Sequence, residues 1–281
     1  MGMKQKKKKK LKKKIKKKKN IKLIKKNIEQ ISSEESFVQL NKNKKFYDLI
    51  ILSIGSISKL YTKIEKSRSI KKDYKELAIT GIIKHNSKIL NPSQFFLKEG
   101  PLAILPFKQN IFSTVWSVNI DFFNIHKKNL EKVLCKKLKL LLNIKNIKII
   151  EKIQSFPIKL NLKTKYFKKN ILILGDGLHS VHPLAGQGFN LVIRDIKKLI
   201  ELISKMSKLG LLFNSSFLLK DFYNARKPEN NLFGLGINLT NIFFKDSKYF
   251  STVKKVILKN INNIGFIKKI TQSVADKGIL F

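Results

Sequence analysis

Residues 171–196, ILILGDGLHSVHPLAGQGFNLVIRDI, change backbone period across one short loop, and any fold for this chain has to accommodate that change. Ile171, Leu172, Ile173 and Leu174 form an apolar run suited to a strand buried on both faces. Gly175-Asp176-Gly177 ends the run as a turn. From Gly188 onward, Phe189, Val192, Ile193, Ile196, Leu199, Ile200 and Ile203 recur at three- and four-residue steps, which marks one face of an amphipathic helix. The unit reads strand, acidic turn, glycine-containing loop, helix, and places the chain in the α/β class. An ordinary strand-to-helix crossover with a surface aspartate satisfies this pattern. A ligand site satisfies it too. A helix N-terminus offers unpaired N–H groups and partial positive charge. Gly186 and Gly188 would let an electron-rich group approach the backbone closely. Asp176, at the carboxyl end of the strand, would accept hydrogen bonds from ligand hydroxyls.

The letters are more specific than the period. Gly175-Asp176, His179, His182-Pro183-Leu184-Ala185-Gly186-Gln187-Gly188-Phe189-Asn190 and Arg194-Asp195 resemble the second FAD-binding motif of flavin-dependent aromatic hydroxylases. The likeness is strongest to the polyprenylphenol and polyprenyl-methoxyphenol hydroxylases of ubiquinone biosynthesis, whose motif reads roughly GDAAHxxHPxAGQGxNxxxxD. Gly177-Leu178 departs from it, standing where that family has two alanines. Gly100 to Pro106 and Thr114-Val115-Trp116 resemble the GPLALLP…VW segment of the same branch, and Leu218 to Arg226, with Tyr223 three before Arg226, resembles a later helix. Leu52 to Ser58 corresponds to a motif close to GADGxxS. Gly55 and Ser58 are kept there, but Ile54 replaces the acidic residue and cannot accept a carboxylate's hydrogen bonds. The resemblance runs from about Asn20 to Ile279.

It implies the C-terminal part of a flavin-hydroxylase fold. Residues 20–73 and 144–228 would form an incomplete Rossmann-type FAD domain, residues 74–143 a β-rich substrate domain with an antiparallel sheet, and residues 229–281 C-terminal helices. FAD would be bound by Gly175, Asp176, Pro183, Ala185, Gly186, Gln187, Gly188 and Asn190. Gly186 to Asn190 would stabilise negative charge on the flavin ring, Asp176 would bind the ribityl chain, and Pro183 would abut the ring. NAD(P)H would be the co-substrate and a polyprenylated phenol the substrate, hydroxylated with O2. Leu105, Pro106 and Trp116 are candidates for the substrate pocket, although a single strand tryptophan is more often core. No catalytic side chain is assigned, because the flavin carries the chemistry while the protein orients it and excludes water.

The family's opening strand–GxGxxG–helix, which binds the FAD pyrophosphate, finds no counterpart: residues 20–45 contain no glycine. Two alternatives to an autonomous monooxygenase therefore stand beside it. One is a split enzyme whose Rossmann unit comes from a separate chain, or a subunit of a ubiquinone-biosynthesis complex. The other is a non-catalytic remnant.

Charge supports a third reading, a basic module for membranes or nucleic acid. The formal net charge is +42, and residues 1–19 hold 13 lysines and no acid, leaving 42 − 13 = +29 for the rest. That tail should be disordered by self-repulsion. Only Arg68, Arg194 and Arg226 among the 60 basic residues are arginine, whereas dedicated nucleic-acid readers use arginine forks. No specific nucleic-acid partner is expected. The expected location is cytoplasmic, with peripheral contact at the anionic inner membrane surface. No apolar run reaches the length of a membrane span. Neither His179 and His182 nor any other set of residues completes a metal site. Cys135 reads as a packing residue, and His85 and His126 as surface residues. Ile21–Ile31 and Ser36–Leu40 read as short strands or as one strand and a turn, Phe46–Ile54 as one buried strand, and Lys127–Leu142 as a helix. Leu77–Ile83, Gln94–Leu97, Leu102–Phe107 and Phe112–Val118 read as a β-meander.

Overall fold

The computed structural model describes residues 14, 15, 17–55, 58, 60, 61, 69–87, 91–183, 186–211 and 216–245. The chain divides into two units, residues 1–47 and 48–281. In the first, β1 (Gln30–Ser32), β2 (Phe37–Leu40) and β3 (Asn43–Phe46) form an antiparallel meander. Phe37 is its buried centre, with Phe46 packed edge-on at 6.0 Å and the Lys44 ammonium 4.3 Å above its ring. The expected strand Phe46–Ile54 is in fact two pieces. Phe46 closes β3, and a separate strand, β4 (Ile50–Leu52), follows in the second unit. The break falls at Tyr47, whose N–H bonds Ser36 O rather than continuing a ladder. The expected strand Ile21–Ile31 shrinks to its last two residues plus Ser32, because Lys22, Lys25, Lys26 and Asn27 interrupt any alternation.

The second unit is built on a six-stranded antiparallel sheet in the order β12-β9-β5-β8-β7-β6. Its strands are β5 (Ser69–His85), β6 (Ser93–Leu97), β7 (Gly100–Lys108), β8 (Ile111–Asn119), β9 (Ile147–Lys163) and β12 (His179–Ser180). The four runs expected to form a meander are the strands β5, β6, β7 and β8, but only β6, β7 and β8 follow one another as neighbours; β5 pairs with β8 instead of β6. The sheet does not stop at residues 74 and 143, where the sequence suggested domain boundaries. β5 starts at Ser69, and β9 pairs with β5 from His85↔Ile147 to Ser69↔Lys163, with register shifts that bend both strands. The outer half of β9, IKIIEKIQ, alternates half-buried and exposed residues, a weak signal for one of the two longest strands.

Strand alternation divides the sheet residues between two faces. Ile79, Ile83, Leu102, Ile104, Phe112, Trp116 and Val118 face α1 (Ile120–His126) and α2 (Leu130–Leu142), and with Leu130, Leu134 and Leu138 of α2 they form the main core. Nine of these ten side chains have no exposed surface; each contributes roughly 1.5–3 kcal/mol of transfer free energy. α1 starts at Asn119, whose side chain accepts from the Asp121 N–H at 2.8 Å. α2 ends at Asn143 in the left-handed region.

A second, smaller sheet joins β10 (Phe167–Lys168), β11 (Ile171–Ile173) and β4, with β11 parallel to β4. The strand expected at Ile171 is therefore present and buried throughout. A 3-10 turn, Gly175–Gly177, follows it, then β12, then α3 (Gln187–Lys208). The buried face of α3 is Leu191, Asp195, Leu199, Leu202 and Met206, rotated from the expected one, with Ile200 and Phe189 outward. The stripe on this helix is wider than its contact, and a buried aspartate holds the middle of the packed face. α4 (Ser216–Lys245) packs on α3 and takes in the segment around Tyr223 and Arg226. Of the C-terminal helices expected over residues 229–281, residues 246–281 lie outside the described residues. No described helix is long and apolar enough to cross a membrane.

Candidate flavin and substrate site

The acidic turn and the loop after it face the free side of the large sheet. Between them lies a cavity of about 610 Å3, lined on one wall by Asp176, His179, Val181, Pro183, Gly186, Gly188 and Phe189 and on the other by Gln94, Ala103, Leu105 and Val115. Asp176 and Pro183, two of the residues singled out for a flavin, thus meet Leu105, one of those singled out for a substrate. Gly175 is buried behind the turn. Gln187 and Asn190 sit in the first turn of α3, where Asn190 Nδ2 donates to Gln187 Oε1 at 3.5 Å. Ala185 lies outside the described residues.

Trp116 and Pro106 are not part of this cavity. Trp116 lies on the opposite face of the sheet with no exposed surface, its ring edge-on to Phe122 at 5.3 Å. Leu102, Ile104 and Pro106 share one face of β7, and Ala103 and Leu105 share the other, so period two excludes Pro106 from the wall that holds Leu105. Val115, next to Trp116, takes the place in the cavity wall.

Gly186 precedes α3 with φ 65°, a left-handed conformation that glycine adopts at no steric cost, and a side chain added there would meet nothing within 4 Å. No side chain caps the first turn of α3 and no acid stands in it, so the positive end of the helix is available to an anionic or electron-rich group.

Two buried imidazole–carboxylate contacts fix the loop between turn and helix. His179 Nε2 donates to Asp195 Oδ2 at 2.6 Å, and His182 Nε2 donates to Glu76 Oε2 at 2.9 Å. All four side chains are at least 95% buried. Tyr74 packs edge-on to His182 at 5.1 Å. Burial, and then the Glu76 carboxylate, push the Tyr74 hydroxyl up to about 12.

Asp195 is also the hub of a larger network. Its Oδ1 accepts from Arg226 Nε at 2.7 Å and from Asn230 Nδ2 at 3.1 Å. Arg226 also donates to Glu229 and to Asn230 Oδ1, and Asn230 Nδ2 reaches the Tyr166 hydroxyl at 3.4 Å. Burial raises the Tyr166 hydroxyl above the ordinary tyrosine range. Arg194 pairs with Glu229 at 3.5 Å and lies 4.5 Å over the Phe233 ring. The sequence motifs contained His179, Asp195 and Arg226 but did not pair them with one another, and Glu76, Glu229 and Asn230 carried no local signal at all.

Outside this region, His85 is buried rather than on the surface. Its Nδ1 accepts from the Ser87 N–H at 3.2 Å, and burial lowers its pKa. Burial likewise raises the Cys135 thiol, as suits a packing residue. No cluster of three metal-ligating side chains occurs among the described residues.

Comparison with known proteins agrees with this architecture. Residues 123–273 match the squalene epoxidase family model. The ubiquinone biosynthesis monooxygenase COQ6 of Dictyostelium discoideum is 27% identical over 215 residues, covering 65% of this chain and 43% of that protein. The 3-demethoxyubiquinol 3-hydroxylase of Escherichia coli is 28% identical over 150 residues, covering 52% of this chain and 38% of that protein. The chain thus spans less than half the length of these curated relatives. Among solved structures, PqsL, a probable FAD-dependent monooxygenase from Pseudomonas aeruginosa, superposes with TM-score 0.70 at 17% identity over 88% of this chain and 71% of its own. The p-nitrophenol 4-monooxygenase PnpA from Pseudomonas putida superposes with TM-score 0.71 at 12% identity over 91% and 67%. With more than half of its residues inside the family match, the chain belongs to the squalene epoxidase family, and it has the fold of FAD-dependent monooxygenases and relatives among those of ubiquinone biosynthesis.

Proposed function

We propose that this chain is the flavin-ring and substrate portion of an FAD-dependent monooxygenase that hydroxylates a polyprenylated phenol in ubiquinone biosynthesis, with NAD(P)H and O2 as co-substrates. The observation that carries this reading is the two-walled cavity, with the Asp176–Phe189 segment on one side and the apolar face of β7 and β8 on the other. The residues present fit a flavin. Gly186 leaves open space where a side chain would stand, the uncapped turn of α3 suits the electron-rich edge of the ring, and Asp176 is exposed to accept from hydroxyls. When bound, the flavin would supply the redox chemistry and oxygen activation. The chain's part is to orient ring and substrate and to keep water out, and Ala103, Leu105, Val115, Pro183 and Phe189 suit an apolar substrate.

Ile54 favours a second reading. It stands where the resembled motif has an acid, and its side chain is 37% exposed. The ADP portion of FAD would then need residues from elsewhere, such as a partner chain carrying the GxGxxG unit, and without them the chain would serve as a non-catalytic subunit. Lysine-driven contact with an anionic membrane surface would bring either form to a lipid-borne substrate. Titrating FAD into the chain at high salt, followed by flavin fluorescence quenching, separates the readings. Saturation at low micromolar FAD, followed by phenol-dependent NAD(P)H oxidation, supports the autonomous enzyme; no binding removes it and directs the search to a partner chain.

A further inference from the structure

We propose that Tyr61 is a positioning residue of the flavin half-site: its phenol occupies the space left by the missing side chain of Gly177 and ties the Ile54–Gly55 loop to the turn that presents Asp176. The inference rests on the flavin reading above and adds to it a residue outside every recognised motif.

Three observations converge on this hydroxyl. A Cβ built on Gly177 would lie 2.0 Å from the Tyr61 oxygen and 2.4 Å from the ring carbon that bears it, so ring and side chain cannot coexist there. The hydroxyl donates to the Gly55 carbonyl at 2.8 Å and accepts from the Ile54 N–H at 3.3 Å. The ring is 97% buried, with the Lys163 ammonium 5.7 Å over its face. Burial raises the phenol's pKa and the nearby Asp176 carboxylate adds to the rise, which keeps the hydroxyl protonated and able to donate.

The two departures from the resembled motifs, Gly177 for alanine and Ile54 for an acid, therefore meet at one atom. Where a carboxylate at position 54 could have organised the loop from its own side chain, here the loop's backbone is held by a phenol arriving from residue 61, and the turn gives up a methyl group to admit it. Leu174 N–H bonds Leu52 O at 2.9 Å one step earlier, so the β4–β11 ladder and the Tyr61 bridge together fix the height of Asp176 over the cavity.

The test uses the full chain and the variants Y61F, Y61A, G177A and Y61A/G177A, each measured by FAD titration, by thermal unfolding without FAD and by amide hydrogen exchange. Removing the hydroxyl in Y61F costs two hydrogen bonds and should weaken FAD binding about 5- to 10-fold, with a native far-UV spectrum and faster exchange at the Ile54 amide. G177A should lower the apo midpoint by several degrees in the wild-type background and far less in Y61A, where the ring is gone. FAD binding by Y61F within twofold of wild type would overturn the proposal, as would equal G177A penalties in both backgrounds. If the wild-type chain binds no FAD, the autonomous-enzyme reading falls. Exchange and coupling then decide the Tyr61 bridge alone: unchanged Ile54 exchange or additive variants refute it, while accelerated exchange with coupled variants sustains it.

Discussion

Replacing Asp195 by asparagine preserves shape and removes only charge and one acceptor. Asp195 is wholly buried, and its two oxygens receive His179, Arg226 and Asn230 at 2.6, 2.7 and 3.1 Å. An amide offers one oxygen to these donors and turns an NH2 toward another, so at least one charge-assisted bond is lost and a buried donor faces a donor. Breaking one partner out of such a buried set costs about 3–5 kcal/mol, and hydrogen bonds to charged groups account for about 1.5–3 kcal/mol each. At roughly 2–4 °C per kcal/mol for a chain of this size, the midpoint of thermal unfolding should fall by roughly 6–20 °C. Urea unfolding followed by far-UV circular dichroism gives the same quantity independently. R226Q should cost a similar amount, and the D195N/R226Q pair should fall short of the sum by about 1 kcal/mol or more, because both act on one network. A D195N loss below about 1 kcal/mol would refute the network as a structural hub.

Glu76→Gln should destabilise the chain by about 1–3 kcal/mol, since it weakens a charge-assisted bond to buried His182, and it should also weaken FAD binding by loosening the loop; equal FAD affinity would contradict the link between them. Phe189→Ala, at a position 71% exposed on the cavity wall, should change unfolding free energy by less than about 0.5 kcal/mol while raising KM for an apolar phenol, read by steady-state NAD(P)H oxidation. Tyr74 has its folded pKa raised from 10.0 to about 12. Its contribution to stability is therefore complete below about pH 10 and lost as pH rises toward 12. Absorbance titration at 295 nm should show Y74F lacking one late-ionising phenol, with a shallower alkaline loss of stability. Removing residues 1–19 lowers the net charge from +42 to +29 and should reduce binding to anionic vesicles at low salt, with sedimentation as the readout.

What the sequence disclosed was local and periodic. The apolar run at Ile171, the turn at Gly175 and the start of α3 lie within a few residues of each other, so their pattern survives in the letters. Strands β5 to β8 were legible because Asn91-Pro92, Glu99-Gly100-Pro101 and Gln109-Asn110 punctuate them, whereas the pairing of β5 with β8 in place of β6 was not. The outer part of β9 was not: Lys148, Glu151 and Lys152 obscure its alternation, and only pairing with β5 along its length defines it. The buried polar network was equally hidden. Glu76 lies 106 residues from His182, and Asp195 lies 31 and 35 residues from Arg226 and Asn230. A charged residue destined for the interior looks the same, in sequence, as one destined for water.

These two sets of buried charges have a common geometric consequence. Taking carboxylates and histidines out of water costs several kcal/mol per ion, and an apolar packing of the same volume would often be as stable. Stability alone therefore does not explain why a short loop is gripped at His179 from α3 and at His182 from β5. Position does. The first contact refers the loop to the helix whose uncapped end begins at Gly186, and the second refers it to the sheet whose Ala103 and Val115 face Pro183 across a narrow crevice. Apolar contacts are non-directional and permit sliding, whereas a 2.6 Å and a 2.9 Å hydrogen bond fix both ends of the loop in distance and direction. The width of the cavity between Pro183 and the sheet is then set by the protein's own hydrogen bonds, as the proposed role of orienting a planar ring against an apolar substrate would require.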